Sequence, residues 1–262
     1  MKYFAIFGNP VFHSKSPLMH NLVFKNFNFN GCYGRYLLKD GKRLKEKFLE
    51  LGLKGINITV PHKEEAYLAC DYLDPFAKKV GAVNTIINRD GKLYGYNTDA
   101  LGFLKAIDEL KDIKNVLFLG AGGTARATSS ILRDEGYKVT ILNRSEARLK
   151  SFKDNRFETY TFNNFTPKKY DLVINMTSAG LEDNSLPAPT DILDRVLPLA
   201  KASFDVIYGK ETPFLKLSKS YSKPTKDGSD MLLYQGLIAS EYFMNNLYNF
   251  EEIEPIMKKA FI

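Results

Sequence analysis

With 262 residues, 44% of them apolar, the chain is long enough for one large domain or two small ones with real cores. Its longest apolar runs are too short to cross a bilayer, and Cys32 and Cys70 form no CxxC pair, so no membrane span, disulfide framework or cysteine-held metal is expected. The net charge of +7 comes from lysines scattered over 39–47, 78–79, 168–169 and 216–226 rather than a stripe interleaved with aromatics. That pattern speaks against nucleic acid and for anionic small molecules.

The N-terminal MKYFAIFGNP passes straight into a strand over 3–7 without the apolar core and small-residue cleavage site of a signal peptide, so a cytoplasmic setting is expected. A polar turn, His13-Ser14-Lys15-Ser16, precedes Pro17. Serine at a helix cap with proline at the first helical position is a start signal. Ser14 and Ser16 bring two hydroxyls and neighbouring N–H groups to that helix start, which makes a ready anion site. A strand is expected over 33–38, an amphipathic helix over 42–51 and a strand over 55–59 (GINIT), with Pro61 opening a helix to about residue 72. Asn57, Thr59 and Lys63 therefore cluster at a strand's C-terminal end, where open α/β sheets bind ligands. A short helix at 74–80 follows. Residues 85–89 and 92–96 flank Asp90-Gly91, a hairpin signal, and Asn97-Thr98-Asp99 caps a helix over about 100–110.

The most informative stretch is 116–127, VLFLGAGGTARA. A short buried strand runs into a glycine turn and then a helix over 124–135 stopped by Gly136, and a second strand at 138–142 completes a strand–helix–strand unit. Gly120, Gly122 and Ala125 fill the small-residue positions of a dinucleotide fingerprint: the first for the tight turn, the second for close approach of a pyrophosphate, the third for helix–strand packing. The helix N-terminus then meets the phosphate charge. At the end of the second strand stands Asn143-Arg144-Ser145, with Arg148 four residues beyond Arg144, where an NAD site carries Asp or Glu. Two guanidinium forks suit a 2′-phosphate, so NADP is the expected nucleotide.

Beyond residue 145 a helix, a strand near 157–162 and a strand at 171–175 are expected, the last running into Met176-Thr177-Ser178, which suits contacts to the cofactor at the switch point. Residues 186–198 are proline-rich and expected to be looped in part; 203–206 is a further strand. A helix starts near 213, a long one runs from 231 to about 248, and a last one at 251–262 is expected to fold back on the first. His13, His20 and His62 match no zinc spacing, and no metal is expected. The fold class is thus α/β, with two α/β domains: a Rossmann-like, doubly wound parallel sheet for NADP and a mainly parallel sheet for the substrate.

Nine stretches together resemble the shikimate dehydrogenase family: GNPVFHSKSPLMHN from Gly8, GINITVPHKE from Gly55, GAVNT from Gly81, GYNTDALGF from Gly95, GAGGTARA from Gly120, NRS from Asn143, NMTSAG from Asn175, DVIYGKETPF from Asp205 and DGSDMLLYQG from Asp227. They span nearly the whole chain in family order. Departures are small: His62 for a frequent aromatic, Ser145 for Thr, and Gly236 for Ala. The resemblance implies NADPH-dependent, reversible reduction of 3-dehydroshikimate to shikimate in aromatic amino-acid biosynthesis, by a monomer or homodimer. It implies a substrate domain over 1–98 completed by 236–262, with the NADP domain over 99–235 between. Ser14, Ser16, Thr59 and Tyr208 would hold the substrate carboxylate, with Asn57 nearby. Asn84, Asp99 and Gln235 would bind ring hydroxyls, and Lys63 and Asp99 would be the catalytic pair. Ala121, Gly123, Thr124, Val206, Gly228 and Met231 would join the cofactor contacts. A dual quinate/shikimate dehydrogenase and a non-catalytic NADP-binding sensor on the same fold are the alternatives. A lysine near a strand end can protonate a developing alkoxide while a carboxylate holds the ammonium in place.

Overall fold

The computed structural model describes residues 1–261; Ile262, the end of the expected last helix, lies outside the described residues. The chain begins with β1 (Lys2–Gly8), α1 (Ser16–Asn26), β2 (Gly31–Leu37), α2 (Leu44–Glu50), β3 (Gly55–Ile58) and α3 (Lys63–Ala69). Then come β4 (Tyr72–Leu73), α4 (Pro75–Val80), β5 (Thr85–Arg89), β6 (Lys92–Tyr96) and α5 (Asp99–Ile107). The middle of the chain forms β7 (Asn115–Leu119), α6 (Gly123–Asp134), β8 (Lys138–Asn143), α7 (Lys150–Asp154), β9 (Glu158–Thr161), β10 (Leu172–Asn175), α8 (Thr190–Val196), β11 (Ala202–Asp205), α9 (Pro213–Ser220) and β12 (Thr225–Lys226). Two helices close it, α10 (Ser229–Phe243) and α11 (Phe250–Met257).

Two compact units result: Met1–Gly102 together with the chain from Leu233 onward, and Phe103–Leu232. Both crossings fall inside helices, α5 and α10. In the first unit the sheet order is β2-β1-β3-β5-β6-β4. β1 pairs in parallel with β2 and β3, and β4 with β6, whereas β5 is antiparallel to both β3 and β6. Phe7, Phe48, Ile56, Ile58 and Ile86 build its core, and Phe243 of α10 packs on Phe4 at 4.9 Å between ring centres. α11 lies on α1, as expected of a C-terminal segment folding back. The second unit is an all-parallel sheet of order β12-β11-β10-β7-β8-β9, the doubly wound arrangement with β7 and β10 flanking the reversal of strand order. Leu117, Leu119, Val173, Leu193 and Phe214 form its core.

Several boundaries differ from the expectation, each for a physical reason. Ser16 is the first residue of α1, with Lys15 in the capping position and no capping side chain, so the serine's hydroxyl is not spent on the helix. α3 stops at Ala69 because Cys70 turns extended (φ −78°, ψ 140°) and Tyr72–Leu73 joins the sheet beside β6. The proline-rich stretch contains α8. α10 ends at Phe243, where Asn245 and Asn246 take left-handed conformations (φ 57° and 55°) that a continuing helix excludes. The Asp90-Gly91 turn has both residues at positive φ (51° and 82°), as a two-residue hairpin requires.

Candidate active site

Strand register gathers the polar residues of the first unit. Asn57, near the end of β3, lies opposite Thr85, the first residue of β5, and Thr85 lies opposite Tyr96 at the end of β6. The chain leaving β6 therefore carries Thr98 and Asp99 back to the side of Asn84. Asn97 caps α5 by accepting from the Ala100 N–H at 3.3 Å. That leaves the Asp99 carboxylate available, contrary to the simple reading of Asp99 as a helix cap. Lys63, the first residue of α3, donates from Nζ to Asp99 Oδ2 at 2.5 Å, with only 14% and 10% of the two side chains exposed. Asn84 donates from Nδ2 to Asp99 Oδ1 at 2.8 Å, and its Oδ1 accepts from the Thr98 N–H at 2.7 Å. A carboxylate with one oxygen on an ammonium and the other on an amide is fixed in plane, and so is the ammonium it holds.

Ser14 and Ser16 are both buried. Ser14 Oγ donates to Ser16 Oγ at 3.1 Å and accepts from the Ser16 N–H at 3.2 Å, while Arg35 on β2 donates through Nη2 to the Ser14 carbonyl at 2.6 Å. Arg35 is absent from the sequence reading, since a lone arginine on a strand carries no pattern. Thr59 follows β3, half-buried, and its N–H donates to the Phe7 carbonyl at 2.9 Å. Gln235 lies buried on α10, and Gly102 of α5 fits so closely beneath it that a Cβ there would come within 2.6 Å of its backbone nitrogen.

Of the histidines, His62 is buried with Nε2 hydrogen-bonded to the Leu38 carbonyl at 2.6 Å. His20 is buried against Tyr33 (rings stacked at 4.4 Å) with Nδ1 2.8 Å from Ser240 Oγ. Burial lowers the His20 pKa to about 3, with Asn57 opposing weakly. The unfolded chain therefore binds a proton below about 6.5 that the folded chain refuses until about 3, so His20 contributes stability that is complete above 6.5 and lost as pH falls through that window. Replacing it by asparagine, which keeps a hydrogen-bonding atom where Nδ1 stands and cannot charge, should flatten the fall of melting temperature with pH between 6.5 and 3. Parallel curves for the two proteins would exclude His20 as the source.

In the second unit β7 ends at Leu119 and Gly120 turns with φ +115°, a conformation open to glycine, with Thr177 so close that a Cβ would come within 2.6 Å of its methyl. Gly122 caps the 12-residue α6 without any side-chain bond. A Cβ added at Gly122 or Gly123 would meet nothing within 4 Å, so open space lies over the first turn of the helix. Amide donors facing open space at a helix N-terminus are what a pyrophosphate needs, and the residues fit a dinucleotide. Ala121 and Thr124 line the same turn, and Ala125 is fully buried against the sheet. Asn143 at the end of β8 donates to the Ser145 carbonyl at 2.9 Å, which orders the turn that carries Arg144 and Arg148, both exposed.

The ends of β10 and β11 are tied by a network the sequence reading missed. Asp205, wholly buried, accepts from Asn175 Nδ2 at 3.1 Å, Ile207 N at 3.0 Å and Thr212 Oγ1 at 2.6 Å. Asn175 in turn accepts from the N–H and hydroxyl of Thr177 at 2.9 and 2.7 Å, fixing the loop through exposed Ser178. Burial raises the Asp205 pKa against these donors. Gly228 sits so tightly on Val206 that any Cβ would collide with the Val206 carbonyl, and Met231 is buried on α10 just beyond. Tyr208 follows β11, half-buried.

The model of the shikimate dehydrogenase substrate-binding domain matches residues 6–86. The shikimate dehydrogenase (NADP(+)) of Helicobacter hepaticus is 44% identical over 96% of this chain and 94% of its own, and that of Helicobacter pylori 40% identical over 100% and 99%. The chain belongs to the shikimate dehydrogenase family. Among solved structures, the shikimate dehydrogenase of Aquifex aeolicus superposes with a TM-score of 0.89 at 33% identity, covering 100% of this chain and 97% of that one. The Thermus thermophilus shikimate dehydrogenase, solved in complex with NADP(H) and shikimate, gives 0.84 at 32% identity, over 99% and 100% of the two chains. Both share the two-unit α/β architecture of this family member.

Proposed function

We propose that the protein is an NADP-dependent shikimate dehydrogenase that reversibly reduces 3-dehydroshikimate to shikimate, a step of aromatic amino-acid biosynthesis. The observation that carries this reading is the Lys63–Asp99 pair, 2.5 Å apart and held in place by Asn84. Reducing a ketone needs a hydride on carbon and a proton on oxygen. Bound NADPH supplies the hydride. The Lys63 ammonium gives the proton to the developing alkoxide, and in the oxidative direction the neutral amine takes it back from the hydroxyl. Asp99 and Asn84 orient Lys63 and accept from or donate to the ring hydroxyls, with Gln235 as a further contact. Ser14, Ser16 and Thr59 hold the substrate carboxylate, so the substrate belongs to the first unit. The turn from Gly120 to Ala125, the arginines after β8 and the loops of Thr177–Ser178, Val206 and Gly228–Met231 hold the cofactor in the second.

Nicotinamide absorbance, followed with shikimate and quinate against NADP and NAD, tests the reading: shikimate with NADP should turn over fastest. Comparable rates with quinate would mean a dual-specificity enzyme, and cofactor binding without turnover would mean a sensor. The intact Lys63–Asp99 pair speaks against a sensor, which has no use for it. Ser14→Ala should raise KM for shikimate by roughly three- to tenfold at nearly constant kcat, because a carboxylate anchor acts alike on ground and transition states. The loop itself stays anchored, since Arg35 holds the Ser14 carbonyl rather than its hydroxyl. An unchanged KM would remove Ser14 from the anchor. We place the enzyme in the cytoplasm, where its two unpaired cysteines are at home, as a monomer or homodimer to be distinguished by light scattering.

A further inference from the structure

A doubly wound sheet opens its ligand crevice between the two strands that flank the reversal of order, here β7 and β10. The glycine turn after β7 is one wall, and the loop 176–179 after β10 is the other. The walls touch: a Cβ at Gly120 would come within 2.6 Å of the Thr177 methyl, and Met176 Sδ lies 4.0 Å from the Thr128 hydroxyl on α6. Inside the loop each hydrogen bond can run in only one sense. The Ala179 carbonyl can only accept and the Thr177 N–H can only donate, which sets the Asn175 amide with Nδ2 on the first, at 3.2 Å, and Oδ1 on the second, at 2.9 Å. The Thr177 hydroxyl, 2.7 Å from that amide oxygen, therefore donates to it, and accepts from the Ala179 N–H at 3.0 Å. Its single proton is committed within the loop. Beyond it, Gly180 turns at φ +84° with its N–H on Asp183 Oδ1 at 3.1 Å, so the far end is held as well. Of residues 176–179, Ser178 alone is exposed.

We propose that Thr177 is a positioning residue for the dinucleotide and not a ligand of it: its hydroxyl locks the loop 176–179, and its methyl seats that wall against the glycine turn. This deepens the functional reading given above and rests on it. A hydroxyl that gives its one proton to Asn175 has no donor left for a phosphate or a carboxamide. It serves the backbone around it instead. A loop ordered before the nucleotide arrives loses little freedom on binding, so the lock raises affinity without making a contact of its own. Which part of the nucleotide it serves follows from the sheet. β8, which leads to Arg144 and Arg148, lies on the opposite side of β7 from β10. The loop therefore stands apart from the arginines assigned to the 2′-phosphate and serves the portion that NADP and NAD share.

The test uses the whole protein: binding of NADP and NAD by calorimetry and, without nucleotide, hydrogen exchange of the segment 175–181. Thr177→Val keeps a methyl on Gly120 but takes the acceptor from the Ala179 N–H and a donor from Asn175. It should weaken both nucleotides by the same factor, roughly three- to tenfold, the worth of about one neutral hydrogen bond. It should also speed exchange across 175–181 in the nucleotide-free protein. Thr177→Ser, which keeps the hydroxyl, should exchange at the wild-type rate and recover most of the affinity. KM for shikimate should hold in both variants. Three results would overturn the proposal. Weaker binding with unaltered exchange would make Thr177 a direct ligand; faster exchange with wild-type affinity would show the nucleotide indifferent to the lock; a loss confined to NADP would move the effect to the 2′-phosphate. Wild-type protein that binds neither nucleotide sinks the functional reading itself, whereas normal wild-type binding beside any of those three results sinks the lock alone.

Discussion

Lys63→Ala should lower kcat for shikimate oxidation by roughly 10²–10⁴ while the affinity for NADP stays near wild type. The size follows from the dual task of the ammonium, proton transfer and orientation. Lys63 stands at the first position of α3, its Nζ held 2.5 Å from Asp99 with the carboxylate's other oxygen on Asn84, so the ammonium is the one charged donor that this pair presents. The substitution also strands a largely buried carboxylate, which costs up to about 3 kcal/mol of stability. Kinetics must therefore be read below the mutant's own melting transition. Asp99→Asn separates the effects: it keeps a polar partner for Asn84 and Lys63 but removes the charge, and should also lose activity while melting closer to wild type. Turnover of Lys63→Ala near the wild-type rate would return Lys63 to the status of an ordinary helix lysine.

Arg144→Ala should weaken NADP by roughly tenfold and leave NAD almost untouched. A hydrogen bond to a charged group is worth about 1.5–3 kcal/mol, which spans ten- to a hundredfold. Arg144 is exposed, so solvent and salt screen it and the lower figure applies. The turn that presents it is ordered by Asn143 donating to the Ser145 carbonyl, not by the guanidinium, so the turn should survive the change. Comparing kcat/KM for both cofactors in wild type and variant, at low and high salt, decides the matter. Equal losses for NADP and NAD would assign Arg144 to the adenine or to the fold instead.

The glycine turn was legible because its chemistry is local: a strand, a positive-φ glycine and a helix start all lie within a dozen consecutive letters. The hairpin at Asp90-Gly91 was legible for the same reason. Lys63 and Asp99 were a different case. As letters, Lys63 sits beside Glu64 and Glu65 like surface charge, and Asp99 looks like a helix cap; the end of a strand marked Lys63 as a ligand-side residue, but only the family resemblance paired it with Asp99. Their meeting depends on β3, β5 and β6 being in register, which no short window contains. Tyr33, Arg35, Thr85 and Asp205 were given no role of their own because each is an ordinary strand residue whose polar side-chain partners lie outside its own strand. The short strand β4 was hidden by helical composition, which sheet pairing overrode.

The two helical crossings between the units bear on the order in which the chain can fold as it is made. Phe103–Leu232 is one uninterrupted stretch, so that unit holds all its own contacts once residue 232 has left the ribosome. The first unit has no such freedom. Phe4, on β1, packs on Phe243, and Gly102 receives Gln235, so the N-terminal portion of this unit must wait for α10 and α11. The usual N-to-C order of domain folding is therefore inverted here, and the half-made first unit exposes β1 and its apolar face throughout synthesis of the second. Aggregation during expression should start there, and slowing translation across 233–257 should aggravate it, whereas slowing it within 103–232 gives the second unit time to form.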